Sequence, residues 1–277
     1  MEARHCTPAR GRLAASLVAV ALLPALAGAS HRTRNFIVEA PTSEQARQVA
    51  EHAEACRVSI ARAWLGQELP AWPAPCPIQV KITGGEAGGL TSFGFHRGKV
   101  TDQTMSVEGR LDRILASSLP HEVTHTIFAA FFGGPMPRWA DEGASLLSED
   151  GREHRRHDNI VDDLMRRRGN LPLDRLFVVE EYPSDLMGFY GQGYSISRFL
   201  IEMGGRPRFL KFVRDGEKAG WDASARAHYG LANVHELDRA WRSWHRVGSE
   251  GRALAQSDPG VKPALIEASS IGRPGGQ

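Results

Sequence analysis

Residues 121–125 read His-Glu-Val-Thr-His. Two histidines four positions apart fall on one face of an α-helix, about one turn from each other, so both imidazoles can reach one metal ion. Glu122 follows the first histidine and lies beside that face, where its carboxylate can serve as general base toward water that the metal activates. Zn2+ is the ion this donor set favours, because it takes imidazole and carboxylate ligands in tetrahedral geometry. The chemistry implied is hydrolysis, with His121 and His125 as ligands and Glu122 as base. The motif lies between the apolar residues Leu119 and Ile127, as in a helix built into a core.

A catalytic zinc site typically uses three protein ligands and keeps one position open. The third is expected in Pro137-Arg-Trp-Ala-Asp-Glu-Gly-Ala144. A helix beginning near Pro137 would put Trp139 and Glu142 on one face, with Asp141 as the competing ligand. Gly143 and Ala144 would let this helix approach the histidine helix closely. Outer carboxylates must orient the imidazoles, and Asp141 and Asp150 are available for that role.

The elements that must position these groups follow from periodicity. Asn35 to Glu39 reads as a strand. Thr42 and Gln45 resemble a capping box, and apolar residues from Ala46 to Trp64 recur at helical spacing, which predicts a helix over 43–65 ended by Gly66 and a Pro-rich stretch. Ile78, Val80 and Ile82 alternate as in a half-buried strand. Thr91 to Phe95 and Lys99 to Thr101 flank His96-Arg97-Gly98, the pattern of a hairpin. Apolar spacing from Ile114 to Ile127 marks the histidine helix, which Pro120 must kink or open. Beyond 135, helices are expected at 138–149, 157–168, 190–203, 206–214, 222–228 and 235–246. The fold class is therefore α+β. A mixed part over 30–133, a small β-sheet lobe with the active-site helix, precedes a mainly helical part over 134–247, and 248–277 reads as a mobile tail. A cleft between two such parts is a natural place for an active site.

The 277-residue chain is too apolar and too balanced in charge to be mainly disordered. Arg4, Arg10 and Arg12, the apolar run Leu13 to Leu26 and the small residues around Ala27 and Ala29 form the three-part pattern of a signal peptide over 1–29. That implies secretion or residence in the cell envelope, with no stable membrane span after cleavage. Removing that segment takes three arginines and Glu2 from 34 basic and 32 acidic residues, which leaves equal numbers. A neutral mature chain gives no electrostatic case for nucleic acid as a partner. Cys56 and Cys76 remain, and an exported pair favours one disulfide. The basic runs Glu153-His-Arg-Arg-His157 and Arg166-Arg-Arg168 read as solvated helix surface, offset by nearby aspartates. Trp221, Trp241, Trp244 and Tyr229 read as anchors of the helical core.

The pairing of His-Glu-Val-Thr-His at 121–125 with Trp139-Ala-Asp-Glu-Gly-Ala144 resembles the gluzincin zinc metallopeptidases, and within them the peptidase MA-like group of bacterial proteins. The resemblance covers roughly 110–215. It implies a thermolysin-like arrangement, one zinc ion held by His121, His125 and Glu142, Glu122 as general base, and a peptide or protein substrate. Tyr190, in Tyr190-Gly-Gln-Gly-Tyr-Ser-Ile-Ser-Arg-Phe-Leu200, resembles the oxyanion-stabilising tyrosine of aminopeptidase N relatives, with Tyr194 as runner-up. The aminopeptidase Gly-Ala-Met-Glu-Asn motif is absent, so the resemblance does not extend to that activity. Two other functions fit the same residues: a non-catalytic zinc-binding protein of this fold, and a zinc hydrolase of a non-peptide amide or ester.

Overall fold

The computed structural model describes residues 28–257. The expected leader falls almost wholly outside them. Its last residue, Ala29, opens strand β1 (Ala29–Arg32), which pairs antiparallel with β2 (Phe36–Ala40). Helix α1 (Ser43–Leu65) starts where predicted, with the Thr42 hydroxyl accepting from the Gln45 amide at 3.2 Å, and ends at Gly66. The chain returns as β3 (Cys76–Ile82), parallel to β2. Strands β4 (Gly88–His96) and β5 (Lys99–Gly109) form the expected hairpin. Arg97 and Gly98 both have positive φ, as a two-residue turn between twisted strands requires. The sheet order is β1-β2-β3-β5-β4, with β5 parallel to β3, so β4 is an edge strand.

The sheet is thus small, five-stranded and mixed, and α1 packs beside helix α3 (Leu119–Phe132). Short helix α2 (Leu111–Arg113) leads into a π turn over Ile114–Ser118 directly before α3. Pro120 has no N–H for the Ala116 carbonyl, and its ring crowds that group. The wider π turn accommodates both, so the proline neither breaks nor ends the helix, and His121 follows it at once.

The remainder of the described chain is helical: α4 (Arg138–Ser145), α5 (Gly151–Arg166), α6 (Leu173–Leu176), α7 (Leu186–Gly204), α8 (Arg206–Ala219), α9 (Trp221–Tyr229) and α10 (Val234–Ser257). Helix α10 runs on over 248–257, ten residues into the expected tail, and the remainder of that tail lies outside the described residues. Helix α5 begins six residues earlier than its periodicity suggested, and this alters the reading of the basic run. Arg152, Arg155 and Arg156 are exposed, but Glu153 and His157 turn inward and are buried with Val161 and Leu164. The two parts share one core. Trp64 of α1 packs edge-on against Phe128 of α3 at 4.8 Å and reaches Phe209 of α8 at 5.9 Å, and Phe209 meets Trp139 of α4 at 6.1 Å. Trp241 is fully buried, with Trp221, Trp244 and Tyr229 packed around the same core.

The expected disulfide is absent. Cys56 on α1 and Cys76 on β3 are separate buried thiols, and burial raises their pKa values to about 12 and about 11. They act as small apolar side chains. Among the described residues, no helix is long and apolar enough to cross a membrane.

Asp150 ties the start of α5 to the helical run that leads into α3. It caps α5 by accepting from the Arg152 and Glu153 amides, and it accepts from Arg113 at 2.6 Å. The Arg113 hydrogen bond, outweighing some burial, holds its pKa at about 2. A depressed carboxylate stabilises the fold above its ordinary range, so this contribution is complete above a pH of about 4 and fades as pH falls toward 2. Asp150→Ala should cost roughly 2 kcal/mol, from a lost cap and lost charged hydrogen bonds, read from chemical denaturation at neutral pH. The difference from wild type should shrink on acidification.

Candidate metal centre

Helix α3 brings His121, Glu122 and His125 into the interior, each less than a tenth exposed. Helix α4 brings Glu142 to the same place. Its Oε2 lies 3.5 Å from His121 Nε2 and 3.9 Å from His125 Nε2. One potential ligand atom from each of the three residues falls within 4.8 Å of the others, so this is a group that can hold a metal ion.

The outer nitrogens are engaged by other carboxylates. His121 Nδ1 is 2.9 Å from Glu149 Oε1, and His125 Nδ1 is 2.8 Å from Asp141 Oδ1. Ser145 Oγ also approaches His125 Nδ1 at 3.3 Å, and Ser117 Oγ donates to Glu149 Oε2 at 3.0 Å. In the neutral rings, a proton on each Nδ1 would satisfy these carboxylates and turn each Nε2 lone pair toward Glu142. Two lone pairs and a carboxylate oxygen facing one another in a buried site repel, unless a proton or a cation sits among them. The donor set therefore fits a divalent cation of the zinc type.

The electrostatics agree. Burial alone would discharge His121, yet Glu142 and Glu149 outweigh it and lift its pKa well above the ordinary histidine value. Burial is likewise outweighed at His125, chiefly by Asp141. Burial opposes the charge on Glu142, but the two imidazoles and Tyr182 overcome it and hold the pKa at about 2. The same negative charge that holds protons on the rings would hold a cation in their place, so metal binding would release protons.

Of the sequence-predicted residues, His121, His125 and Glu142 meet, and Glu122 stands beside them. Asp141 faces the outer nitrogen of His125 and lies outside the three-residue group. Asp150 does not orient an imidazole. Its neighbour Glu149 does, a residue that no spacing in the sequence singles out. Tyr190 of α7 is half-buried near Glu142. Burial, then the Glu142 charge and Tyr182, raise its pKa, so its hydroxyl stays protonated. Tyr194 is buried elsewhere, with its ring 5.6 Å from those of His154 and His157.

Three further residues were not foreseen. Thr91 of the edge strand β4 donates to Glu122 Oε2 at 2.6 Å. Gly89, also on β4, lies so close that a Cβ there would overlap the Glu122 carboxylate. Tyr182, in the loop before α7, donates to Glu142 Oε1 at 2.7 Å, and the Arg138 guanidinium covers its ring at 4.3 Å. Oε1 is thereby occupied and Oε2 faces the imidazoles. Tyr182→Phe should weaken zinc binding by roughly 10-fold or more, measured by chelator competition, as is common when an outer partner of a ligand is removed.

Helix α4 packs against the histidine helix as expected, but the tightest approach at Gly143 is to α7. Gly143 meets α7, where a Cβ would collide with the backbone of Gly193, and a Cβ on Gly193 would strike the Trp139 carbonyl. Helices α4 and α7 thus cross with their backbones in contact. This fixes the depth at which Glu142 sits. No protein-family model, curated protein or solved structure matches this chain.

Proposed function

We propose that the protein is a zinc-dependent metallopeptidase of gluzincin type, exported by its N-terminal leader, with His121, His125 and Glu142 as the zinc ligands. The observation that carries this reading is the convergence of two imidazole Nε2 atoms and one carboxylate oxygen, with both outer nitrogens already bound to carboxylates. A bound zinc ion would supply Lewis acidity toward the substrate carbonyl and lower the pKa of water at the site toward about 7.

The chain's own groups would do the rest. Glu122 accepts the proton of the attacking water and passes it to the leaving nitrogen. Thr91 holds the Glu122 carboxylate from the strand side, and Gly89 leaves that side chain room. Tyr190, kept protonated by its surroundings, donates to the oxygen on which charge develops. The outer edge of β4 offers main-chain groups to an extended peptide, which would lie across the face of Glu122. A small mixed sheet with its edge strand beside the histidine helix, followed by helices that bring the third ligand, supports the thermolysin-like assignment.

The test is a peptide-library digest of the purified full chain read by mass spectrometry. Cleavage should be abolished by a zinc chelator and restored by added zinc. Cleavage that persists in chelator, or zinc-loaded protein that cleaves no peptide in a broad library, would refute the assignment.

A further inference from the structure

Behind His121, on the side away from Glu142, a second group of ligating side chains comes together. Glu149 precedes α5, and Glu153 and His157 lie one turn apart on its inner face. One potential ligand atom from each lies within 4.8 Å of the others. All three are secluded: the Glu149 and Glu153 side chains are 9% and 7% exposed, and His157 is 3% exposed. His157 Nδ1 is buried with no hydrogen-bond partner. The His157 ring sits with these two carboxylates, and a buried ring nitrogen is costly to leave unpaired; a bound cation is one way to resolve it.

We propose that Glu149, Glu153 and His157 form a second divalent-metal site adjoining the first. One imidazole and two carboxylates suit a first-row transition cation such as Zn2+, and the imidazole disfavours Ca2+ and Mg2+. The carboxylates already carry the outer hydrogen bonds that ligating carboxylates need. Glu149 is held by Ser117 and His121, and Glu153 accepts from Arg113 at 3.0 Å and from Arg156 at 3.2 Å. Each carboxylate oxygen retains a second lone pair for a metal. Arg113 pairs with Asp150 and Glu153, Arg156 pairs with Glu153, and Glu149 faces the His121 ring. Glu149 would link the two sites, touching His121 with one oxygen. The proposal stands apart from the reading of the first site, because it uses none of its ligands.

Equilibrium dialysis of the metal-stripped full chain against Zn2+ tests it, with His125→Gln and His157→Gln alongside. Wild type should bind about two ions per chain and each variant about one, given one ion per three-ligand set. Excess Ca2+ should displace neither. One ion in wild type that is lost in His125→Gln and kept in His157→Gln would overturn the second site and leave the first intact. One ion lost only in His157→Gln would sustain the second site and remove the first. Two ions in both wild type and His157→Gln would also overturn the proposal. Should His157→Gln fail to fold by circular dichroism, Glu153→Gln takes its place, and a wild-type count of one still decides against the second site whenever His125→Gln abolishes it.

Discussion

Glu122→Gln is expected to bind zinc as wild type does and to lose peptide hydrolysis by roughly 10^3-fold, within the range that positioned acid–base groups contribute. The substitution is close to isosteric, which matters at this position. Glu122 is 5% exposed, with Gly89 against its carboxylate and Thr91 bonded to it, so a larger or differently shaped side chain would disturb β4 and confuse the result. A glutamine keeps the shape and can still bond to the Thr91 hydroxyl, but it cannot take a proton from water. Zinc affinity and thermal stability measured beside kcat/KM separate the roles. An unchanged fold, unchanged zinc and lost turnover identify the base. Full activity in the variant would remove Glu122 from the mechanism.

The largest structural effect is expected from Gly143→Ala. A Cβ there meets the main chain of Gly193, which cannot rotate away as a side-chain tip can. Helices α4 and α7 must separate, at a cost of about 3 kcal/mol for overpacking in a tight interior. Glu142 precedes Gly143 directly, so the displacement carries its carboxylate away from Nε2 of His121 and His125. Zinc affinity should therefore fall by up to roughly 100-fold, the upper end of what disturbing a ligand's support costs. Gly84→Ala is the matched control. A Cβ at Gly84 meets nothing within 4 Å, and stability should stay within about 0.5 kcal/mol of wild type. Denaturant midpoints and chelator competition on both variants check this. Equal effects at the two sites would contradict the helix-crossing argument.

How legible the site is in the sequence depends on how local each contact is. His121, Glu122 and His125 are fixed relative to one another by helical period, so their meeting can be read directly. Glu142 needs a second helix in the right place, and its neighbours Trp139 and Gly143 signal one. Glu149, Thr91 and Tyr182 join the site across 28 to 40 residues of chain, and Gly89 does so over a similar span, through contacts that leave no periodic trace.

Glu153 and His157 show a different limit. Together with Val161 and Leu164 they keep a helical period, but arginines between them dominate the composition, so the buried face reads as surface. Strand β1 and helix α6, of four residues each, are too short to carry a pattern. The disulfide expectation came from compartment and an even cysteine count, neither of which says whether two side chains point at each other. The boundaries of α1 and the β4–β5 turn are legible because capping and turn residues act within three or four positions.

The most direct test of the metal centre is anomalous diffraction at the zinc edge from crystals of the full chain grown with zinc. A peak is expected about 2.0–2.2 Å from His121 Nε2, His125 Nε2 and a Glu142 carboxylate oxygen, the usual zinc–ligand distances. A zinc-replete crystal with no peak among those three atoms, its imidazoles instead bonded straight to Glu142, would contradict the assignment.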